Sequence, residues 1–309
     1  MANIRGGFAL NTLAAVVTRN RRELLARCIE HLQAQTCQPD AILVIDNASA
    51  DGTAEMLRGR GIPFVTQENV GSAGGWRRAI EHAAEHGFDA VWLMDDDGYP
   101  DAGALAALEA AMAPGVACAS SVVLREDRPT HFVFPFPVLD DAGLPVIFAN
   151  PRKLDTLSEL RVHATDGTYP FAHFFNGTLV SMDAVRQVGN VDRDFFIFGD
   201  EVDYFFRLRG AGKVLSVLNA VQFHPDVSRR PYTSAKVYYY VKNTLVLNSR
   251  YFNAVWLRHL MTILAVLSRT AARNGLLAAI SFVAGGNAPV LYLAIVRGLR
   301  GKLGKDFNG

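Results

Sequence analysis

The chain has 309 residues, half of them hydrophobic and one fifth charged, with 31 Lys and Arg against 30 Asp and Glu. That length supports one large domain or two smaller ones, and the balanced charge excludes the broad basic surface of a nucleic-acid binder. Cys28, Cys37 and Cys118 fit neither a disulfide framework nor a zinc-ligand spacing, so reduced thiols in a cytosolic setting are expected.

The opening stretch MANIRGGFALNTLAAVVTRNRR carries too short an apolar piece, and no cleavage-type site, for a signal peptide. It reads as a tail leading into a strand at Leu13–Val17. Leu24, Leu25, Cys28, Ile29 and Leu32 then recur at helical spacing. Ile42–Ile45 is a buried-type strand ending in the turn-rich DNASADGT. A helix at Ala54–Arg58, a strand at Pro63–Thr66, a glycine-rich loop, a helix at Trp76–His86 and a strand at Val91–Met94 follow. Such alternation predicts an α/β fold, a Rossmann-like, mostly parallel central sheet flanked by helices, with functional loops at the C-terminal ends of the strands.

After about residue 115 prolines and aromatics break the pattern. Strand and helix signals return in HFFNGTLVSMDAVRQVG and GDEVDYFFRLRGAGKVLSV. From Tyr251 apolar stretches are interrupted by Arg258, Arg269, Arg273, Arg297 and Arg300, with almost no acid before Asp306. Residues 274–296 are uncharged and about long enough to cross a bilayer. Gly285, Gly286, Asn287 and Pro289 break their middle, so a helix–loop–helix is expected. The flanking arginines suit a helix pair resting on an anionic cytoplasmic leaflet. A homo-oligomer interface or simple core closure are the alternatives.

Three consecutive carboxylates, Asp95, Asp96 and Asp97, end the strand VWLM. Either they form a solvated turn or a cation meets them, because like charges beside an apolar core are costly. An Asp-x-Asp pair at a strand end supplies hard oxygen ligands for Mg2+ or Mn2+, which suit a diphosphate leaving group. The cluster Asp200, Glu201 and Asp203 in GDEVDYFFR offers a general base, since crowded carboxylates have raised pKa values.

Four stretches occur in a recognisable order: VVTRNR with LLARCIEHLQAQ; ILVIDNASADGT; ENVGSAGGWRRAIEHA with WLMDDDGYP; and FFIFGDEVDYFFRLRGAG. Over roughly residues 12–250 they resemble the family 2 glycosyltransferases, inverting enzymes of the GT-A fold. Within that family the triple aspartate and the glycine-rich loop are most similar to bacterial galactofuranosyl- and rhamnosyltransferases of cell-surface polysaccharide synthesis.

The resemblance implies a catalytic domain over 1–250, with a donor half at about 12–100 and an acceptor half at about 101–250, followed by a C-terminal helical region at 251–309. Asp95 and Asp97 would hold the metal, Mn2+ or Mg2+, with His224 of VQFHPDV as third ligand, although a surface histidine before a proline turn reads the same way. Asp95 also falls where the ribose is held, and Asp96 is expected at the sugar or behind the ligands. Asp46, Asn47 and Thr18 would take the nucleotide; Asp46 as a turn or N-cap residue is the bland alternative. Asn69, Gly71, Gly74 and Gly75 would wall the donor pocket, with Arg77 or Arg78 facing the nucleotide.

Aligning Asp203 and Arg207 with the family frame puts Glu201 at the base position, where Asp is commoner, so Asp200 stays open as the alternative. Trp76, His173, Phe174 and Phe175, with Asn176, and Asp203 are expected to contact acceptor sugar, although most aromatics are core. Phe196 and Tyr204 are further candidates. The expected partners are a nucleotide-sugar donor, UDP-galactofuranose before dTDP-rhamnose, a glycan or lipid-linked glycan acceptor, and a membrane surface, with no nucleic acid. The expected location is cytoplasmic, peripheral on the inner face of the plasma membrane. A sugar-nucleotide pyrophosphorylase would need a basic glycine-rich loop at the N-terminus, which AVVTRNRRELLA lacks. A non-catalytic sugar-nucleotide-binding subunit of a polysaccharide assembly complex would have lost the metal carboxylates or the base, and both are present.

Overall fold

The computed structural model describes residues 10–228 and 230–307, which fall into two compact units. The first comprises the chain up to Val70, Gly75–Asn190 and Arg207–Asp226; the second comprises Gly71–Gly74, Val191–Phe206 and the chain from Val227 on.

In chain order the elements are β1 (Thr12–Thr18), α1 (Arg22–Gln33), β2 (Ala41–Asp46), α2 (Thr53–Gly59), β3 (Phe64–Thr66), α3 (Gly71–Glu85), β4 (Ala90–Asp95), β5 (Tyr99–Pro100), α4 (Ala104–Ala111) and β6 (Val116–Arg125). Next come β7 (Arg128–Pro137), β8 (Lys153–Thr156), α5 (Leu157–His163), β9 (Thr168–Tyr169), β10 (Asn176–Ser181), α6 (Met182–Val188), α7 (Asp200–Ala211) and β11 (Lys213–His224). Four helices close the chain: α8 (Ser234–Tyr251), α9 (Val255–Asn274), α10 (Leu276–Ala284) and α11 (Ala288–Leu299).

The first unit is built on one sheet with strand order β3-β2-β1-β4-β10-β6-β11-β5. β3, β2, β1 and β4 run parallel, as do β6 and β11, while β10 is antiparallel to both of its neighbours. Every residue of β1 is buried, which its unbroken small and β-branched run requires of a strand covered on both faces. The predicted stripe on α1 is the packing face, with Leu25, Cys28, Ile29 and Leu32 buried against Val16, Val44 and Trp92 in one core.

Two expectations are corrected. The glycine-rich stretch is helical, so α3 begins at Gly71 rather than Trp76. Glycine costs about 1 kcal/mol in a helix, but here packing outweighs propensity. A Cβ at Gly75 would lie 2.6 Å from Val17 Cγ1 and 3.3 Å from Asn47 Nδ2, so only glycine lets α3 sit this close to β1. The proline-rich stretch after residue 125 is also no plain loop. It forms β7, which pairs with β6 in only part of its length and tolerates its prolines there.

In the second unit Val237, Tyr238, Val241, Leu245, Val266 and Phe282 are among the side chains that form a core between helices. α10 and α11 are bent by 63° at their break, the expected helix–loop–helix, and no single described helix is long and apolar enough to cross a membrane. Lys242 is wholly buried, and its Nζ donates to Asp306 Oδ1 at 2.8 Å and to Gly304 O at 2.7 Å. Arg297 reaches Asp306 Oδ2 at 2.8 Å.

Candidate active site

β1 sits between β2 and β4, so the chain leaves β1 toward one side of the sheet and returns on the other. At such a switch point a crevice opens beyond the strands' C-terminal ends. The parallel register sets Thr18 opposite Asp46 and Val17 opposite Asp95, which gathers the polar ends of three strands at one edge. Thr18 Oγ1 donates to Asp96 Oδ2 at 2.7 Å, and the Asn47 N–H donates to Thr18 O at 3.0 Å. Asn47 Oδ1 accepts from Gln67 Nε2 at 2.7 Å. Asp46 Oδ1 accepts the Ser49 N–H at 2.9 Å; its Oδ2 is buried with no hydrogen-bond partner among the described residues. A buried carboxylate oxygen in that state is an exception among buried polar groups and has acceptor capacity to spare.

Protein cations meet two of the three stacked aspartates. Arg21 Nη1 lies 2.9 Å from Asp96 Oδ1 and 2.9 Å from Asp97 Oδ2. His224 Nε2 lies 3.0 Å from Asp97 Oδ1, and its Nδ1 is 2.7 Å from Pro225 O, to which it donates. The solvated-turn reading therefore fails, since Asp96 and Asp97 are buried and ion-paired. Burial, reinforced by Asp97 and then Asp96, holds Asp95 well above the usual carboxylate range. Burial also raises Asp96, against the opposing pull of Arg21. Burial works to depress His224, but the hydrogen bond and charge of Asp97 outweigh it and leave the imidazole raised.

This acid cluster suits a divalent cation. Two ligands at right angles on bonds of about 2.1 Å stand about 3.0 Å apart, and Asp97 Oδ1 and His224 Nε2 have that separation. The Nδ1–H bond to Pro225 fixes the ring so that Nε2 is the atom offered. Asp95 does not complete the trio: its ligand atoms and those of Asp97 and His224 are not all within 4.8 Å of one another. Arg21 brings positive charge to Asp96 and Asp97.

The other expected residues are placed unevenly. Asn69 is half-buried just before α3, and Gly74 is buried in its first turn. Arg77 Nε bonds Glu81 at 2.8 Å, one turn along the helix, and Arg78 bonds Glu85. Trp76 and Phe175 stack on each other at 4.6 Å and 7°, with Phe174 edge-on to Phe175. All three rings are buried, which matches the core alternative rather than open sugar platforms. His173 lies among Phe136, Phe171 and Phe134, and burial, helped by Lys153, pushes it down to about 4. Asn176 is buried with its Oδ1 unpartnered among the described residues.

Sequence reasoning missed Arg21 and the polar floor behind the acid cluster. Gln222, two residues before His224 on β11, is fully buried with both amide atoms unpartnered among the described residues, as is Ser121 Oγ. A Cβ at Gly98 would lie 3.0 Å from Gln222 Nε2 and 3.4 Å from His224 Cδ2. One at Gly177, where φ is +82°, would lie 3.0 Å from Gln222 Oε1 and 2.8 Å from Ser121 Oγ. Two glycines thus bring the backbone onto the strand that carries His224.

In the second unit the segment before α7 is strained, with φ of +62° at Phe196, +63° at Phe198 and +95° at Gly199. Asn243, buried in α8, holds it by donating from Nδ2 to the carbonyls of Phe195, Ile197 and Phe198 at 2.9, 3.0 and 2.8 Å. Such strain persists only where the surroundings over-determine it, and it concentrates at functional sites. The first turn of α7 then presents its acids differently. Asp200 is buried, whereas Glu201 is half-buried and its Oε2 accepts the Gly199 N–H at 2.8 Å. Asp203 is buried, accepting from the Tyr251 hydroxyl at 2.7 Å and facing Arg250 Nη1 at 3.3 Å. Phe196 and Tyr204 pack inside this unit, Tyr204 fully buried.

A mostly parallel sheet with acids gathered at its switch point is the glycosyltransferase GT-A architecture, and solved structures of that class are similar in fold. Mannosyltransferase PcManGT from Pyrobaculum calidifontis, solved with GDP-Man and Mn2+, gives a TM-score of 0.56 at 17% identity over 94% of this chain and 86% of that one. GalNAc-T7, solved with UDP, GalNAc and Mn2+, gives 0.55 at 16% identity over 77% and 48%. The chain belongs to glycosyl transferase family 2 and is a glycosyltransferase: the family's description matches residues 14–144, and curated relatives carry the likeness further. Galactofuranosyltransferase GlfT1 of Mycolicibacterium smegmatis is 34% identical over 222 residues, 69% of this chain and 70% of the relative. GlfT1 of Mycobacterium tuberculosis is 35% identical over 224 residues, 70% of each.

Proposed function

We propose that this glycosyltransferase moves galactofuranose, with inversion, from UDP-galactofuranose to a hydroxyl of a glycan or lipid-linked glycan in cell-surface polysaccharide synthesis. The observation that carries the reading is its 34–35% identity to the GlfT1 galactofuranosyltransferases over about 70% of either chain. dTDP-rhamnose is the second donor to be tried.

In this reading Thr18, Asp46 and Asn47 hold the nucleoside, and the open Oδ2 of Asp46 accepts from it. Asn69, Gly74 and Arg77 belong to the donor wall, and Asp96 is tied to Thr18 and Arg21 behind the site. Asp97 and His224 would hold Mn2+ or Mg2+, with Asp95 the nearby carboxylate expected as a further ligand only if it moves closer; the ion, when bound, would neutralise the charge that develops on the departing diphosphate. Glu201 takes the proton of the acceptor hydroxyl as that oxygen attacks the anomeric carbon from the face opposite the diphosphate. Its greater exposure favours it over buried Asp200. Asp203 serves the acceptor, oriented by Tyr251 and Arg250. His173 and Asn176 are further acceptor-side candidates.

Glu201→Gln is expected to lower turnover by about 10²–10⁴-fold, the worth of a general base, with UDP affinity unchanged. Near-normal turnover in that variant, with loss in Asp200→Asn, would transfer the role to Asp200.

We also propose that the second unit rests on the inner face of the plasma membrane. Between Asp226 and Asp306 the sequence holds twelve Lys and Arg and no Asp or Glu. α9 and α10 expose Trp256, Leu260, Leu264, Leu277, Ile280 and Val283. Apolar side chains set among cations suit an anionic lipid surface. Cosedimentation with vesicles containing phosphatidylglycerol, but not with phosphatidylcholine vesicles, is the expected result. Equal recovery in both pellets, or in neither, would leave that face to a second copy of the chain.

A further inference from the structure

We propose that the C-terminal end of α3 carries a transition-metal site, made by His82, Glu85 and His86, that takes Zn2+, Ni2+ or Cu2+. The site is independent of the donor-site reading.

The three residues stand at i, i+3 and i+4, the spacing that puts side chains on one face of a helix. Their ligand atoms all lie within 4.8 Å of one another, the only such trio of His, Cys, Asp or Glu among the described residues. The imidazoles stack with centroids 3.9 Å apart and 21° between planes. His86 Nδ1 lies 2.9 Å from His82 O, and donation to that carbonyl leaves the Nε2 lone pair free for a metal. Ligating histidines are commonly fixed by such a bond at the other nitrogen. Burial, then the neighbouring His86, lowers the pKa of His82, which favours the neutral form that binds a metal.

The helix supplies a second attraction. The last turn of α3 presents the negative end of the helix dipole, which favours a cation. Arg78 is the opposing charge: it lies 3.0 Å from Glu85 Oε1 and 3.3 Å from Oε2. That pair orients the carboxylate while leaving it further lone pairs. Glu81, 3.8 Å from Arg78, offsets part of the arginine's charge.

Two imidazoles and one carboxylate select borderline ions such as Zn2+, Ni2+ and Cu2+ over Mg2+ and Mn2+, which prefer oxygen. The place differs from the donor site as well. α3 leads into Ala90 at the start of β4, whereas Asp95 ends that strand, roughly 17 Å further along. Metal held here clamps the end of α3 and touches no donor-site residue.

The test is calorimetric titration of the full chain with Zn2+ in excess Mg2+, comparing wild type, His82→Ala/His86→Ala, Glu85→Gln and His224→Ala. Wild type and His224→Ala should each bind one Zn2+ at this site. The double variant should bind it at least about tenfold more weakly, since removing ligands costs no less than removing an outer-shell partner. Glu85→Gln should fall between them. Copper(II) electron paramagnetic resonance should show hyperfine coupling to two imidazole nitrogens, lost in the double variant. Sugar transfer by that variant should match wild type, which also establishes that it folds. Zinc binding that is absent in wild type, unchanged in the double variant, or lost only with His224→Ala would overturn the proposal.

Discussion

Asp97→Asn is expected to reduce kcat/KM for sugar transfer by about 10³-fold, the scale of removing a principal electrostatic contact at a charge-developing site. The substitution keeps the volume and removes the charge. In the structure that charge faces Arg21 at 2.9 Å on one oxygen and His224 at 3.0 Å on the other, so the variant leaves Arg21 facing a neutral amide and removes the charge that raises His224. Any divalent ion would then meet the uncompensated Arg21 charge and one fewer anionic ligand. Mn2+ should cease to raise UDP affinity, whereas UDP affinity measured without metal should change little. Steady-state transfer at saturating acceptor measures the first effect. A loss below about tenfold would place Asp97 in a supporting role.

The largest stability effect is expected at the Lys242–Asp306 pair. Asp306→Asn should cost about 3 kcal/mol, the lower end of the range for breaking a buried ion pair, because Asp306 retains 24% exposure while Lys242 has none. The variant leaves the Lys242 ammonium with Gly304 O and a neutral amide, and leaves Arg297 without its carboxylate partner. The Tyr238 hydroxyl, which donates to Asp306 Oδ1 at 3.0 Å, loses its charged acceptor too. Urea denaturation followed by the second unit's tyrosine fluorescence checks this. Adding Lys242→Met should recover most of the loss, since an apolar side chain of similar size needs no counter-charge. Failure of that rescue would mean that the tail acts through packing of Phe307 on Tyr238, whose rings stack at 4.6 Å.

Much of the parallel part of the sheet was legible in the sequence because its signals are local. A buried parallel strand is a continuous apolar run, and its end is marked by the first polar residue after it; Thr18, Asp46 and Asp95 end β1, β2 and β4 in that way. The break between α10 and α11 was legible for the same reason, being written in glycines, Asn287 and Pro289. The misses are tertiary. Nothing in TRNRR distinguishes Arg21 from its two basic neighbours, Arg19 and Arg22, until the turn at Asn20 forms, with φ of +53°. That turn is held from β2's loop, where Ser49 Oγ accepts the Asn20 N–H at 2.9 Å and the Ala50 N–H donates to Asn20 Oδ1 at 2.7 Å.

Gln222 and Asn243 sit inside apolar runs, where a lone amide looks incidental. Their importance lies in what distant segments bring to them: Gly98 and Gly177 in one case, three loop carbonyls in the other. The aromatics are more deeply buried than their chemistry alone suggests. Trp76, Phe174 and Phe175 had sugar-platform chemistry, but Phe175 at φ +68° folds back so that the rings bury one another.

The most direct test of the account is calorimetric binding of UDP, with and without Mn2+, to wild type and to Asp97→Ala, with dTDP as the competing nucleotide. The account predicts UDP binding that Mn2+ strengthens in wild type and leaves unchanged in the variant, with dTDP weaker throughout. Equal UDP binding by both proteins in Mn2+ would contradict it, and tighter binding of dTDP would redirect the donor to a deoxythymidine-linked sugar.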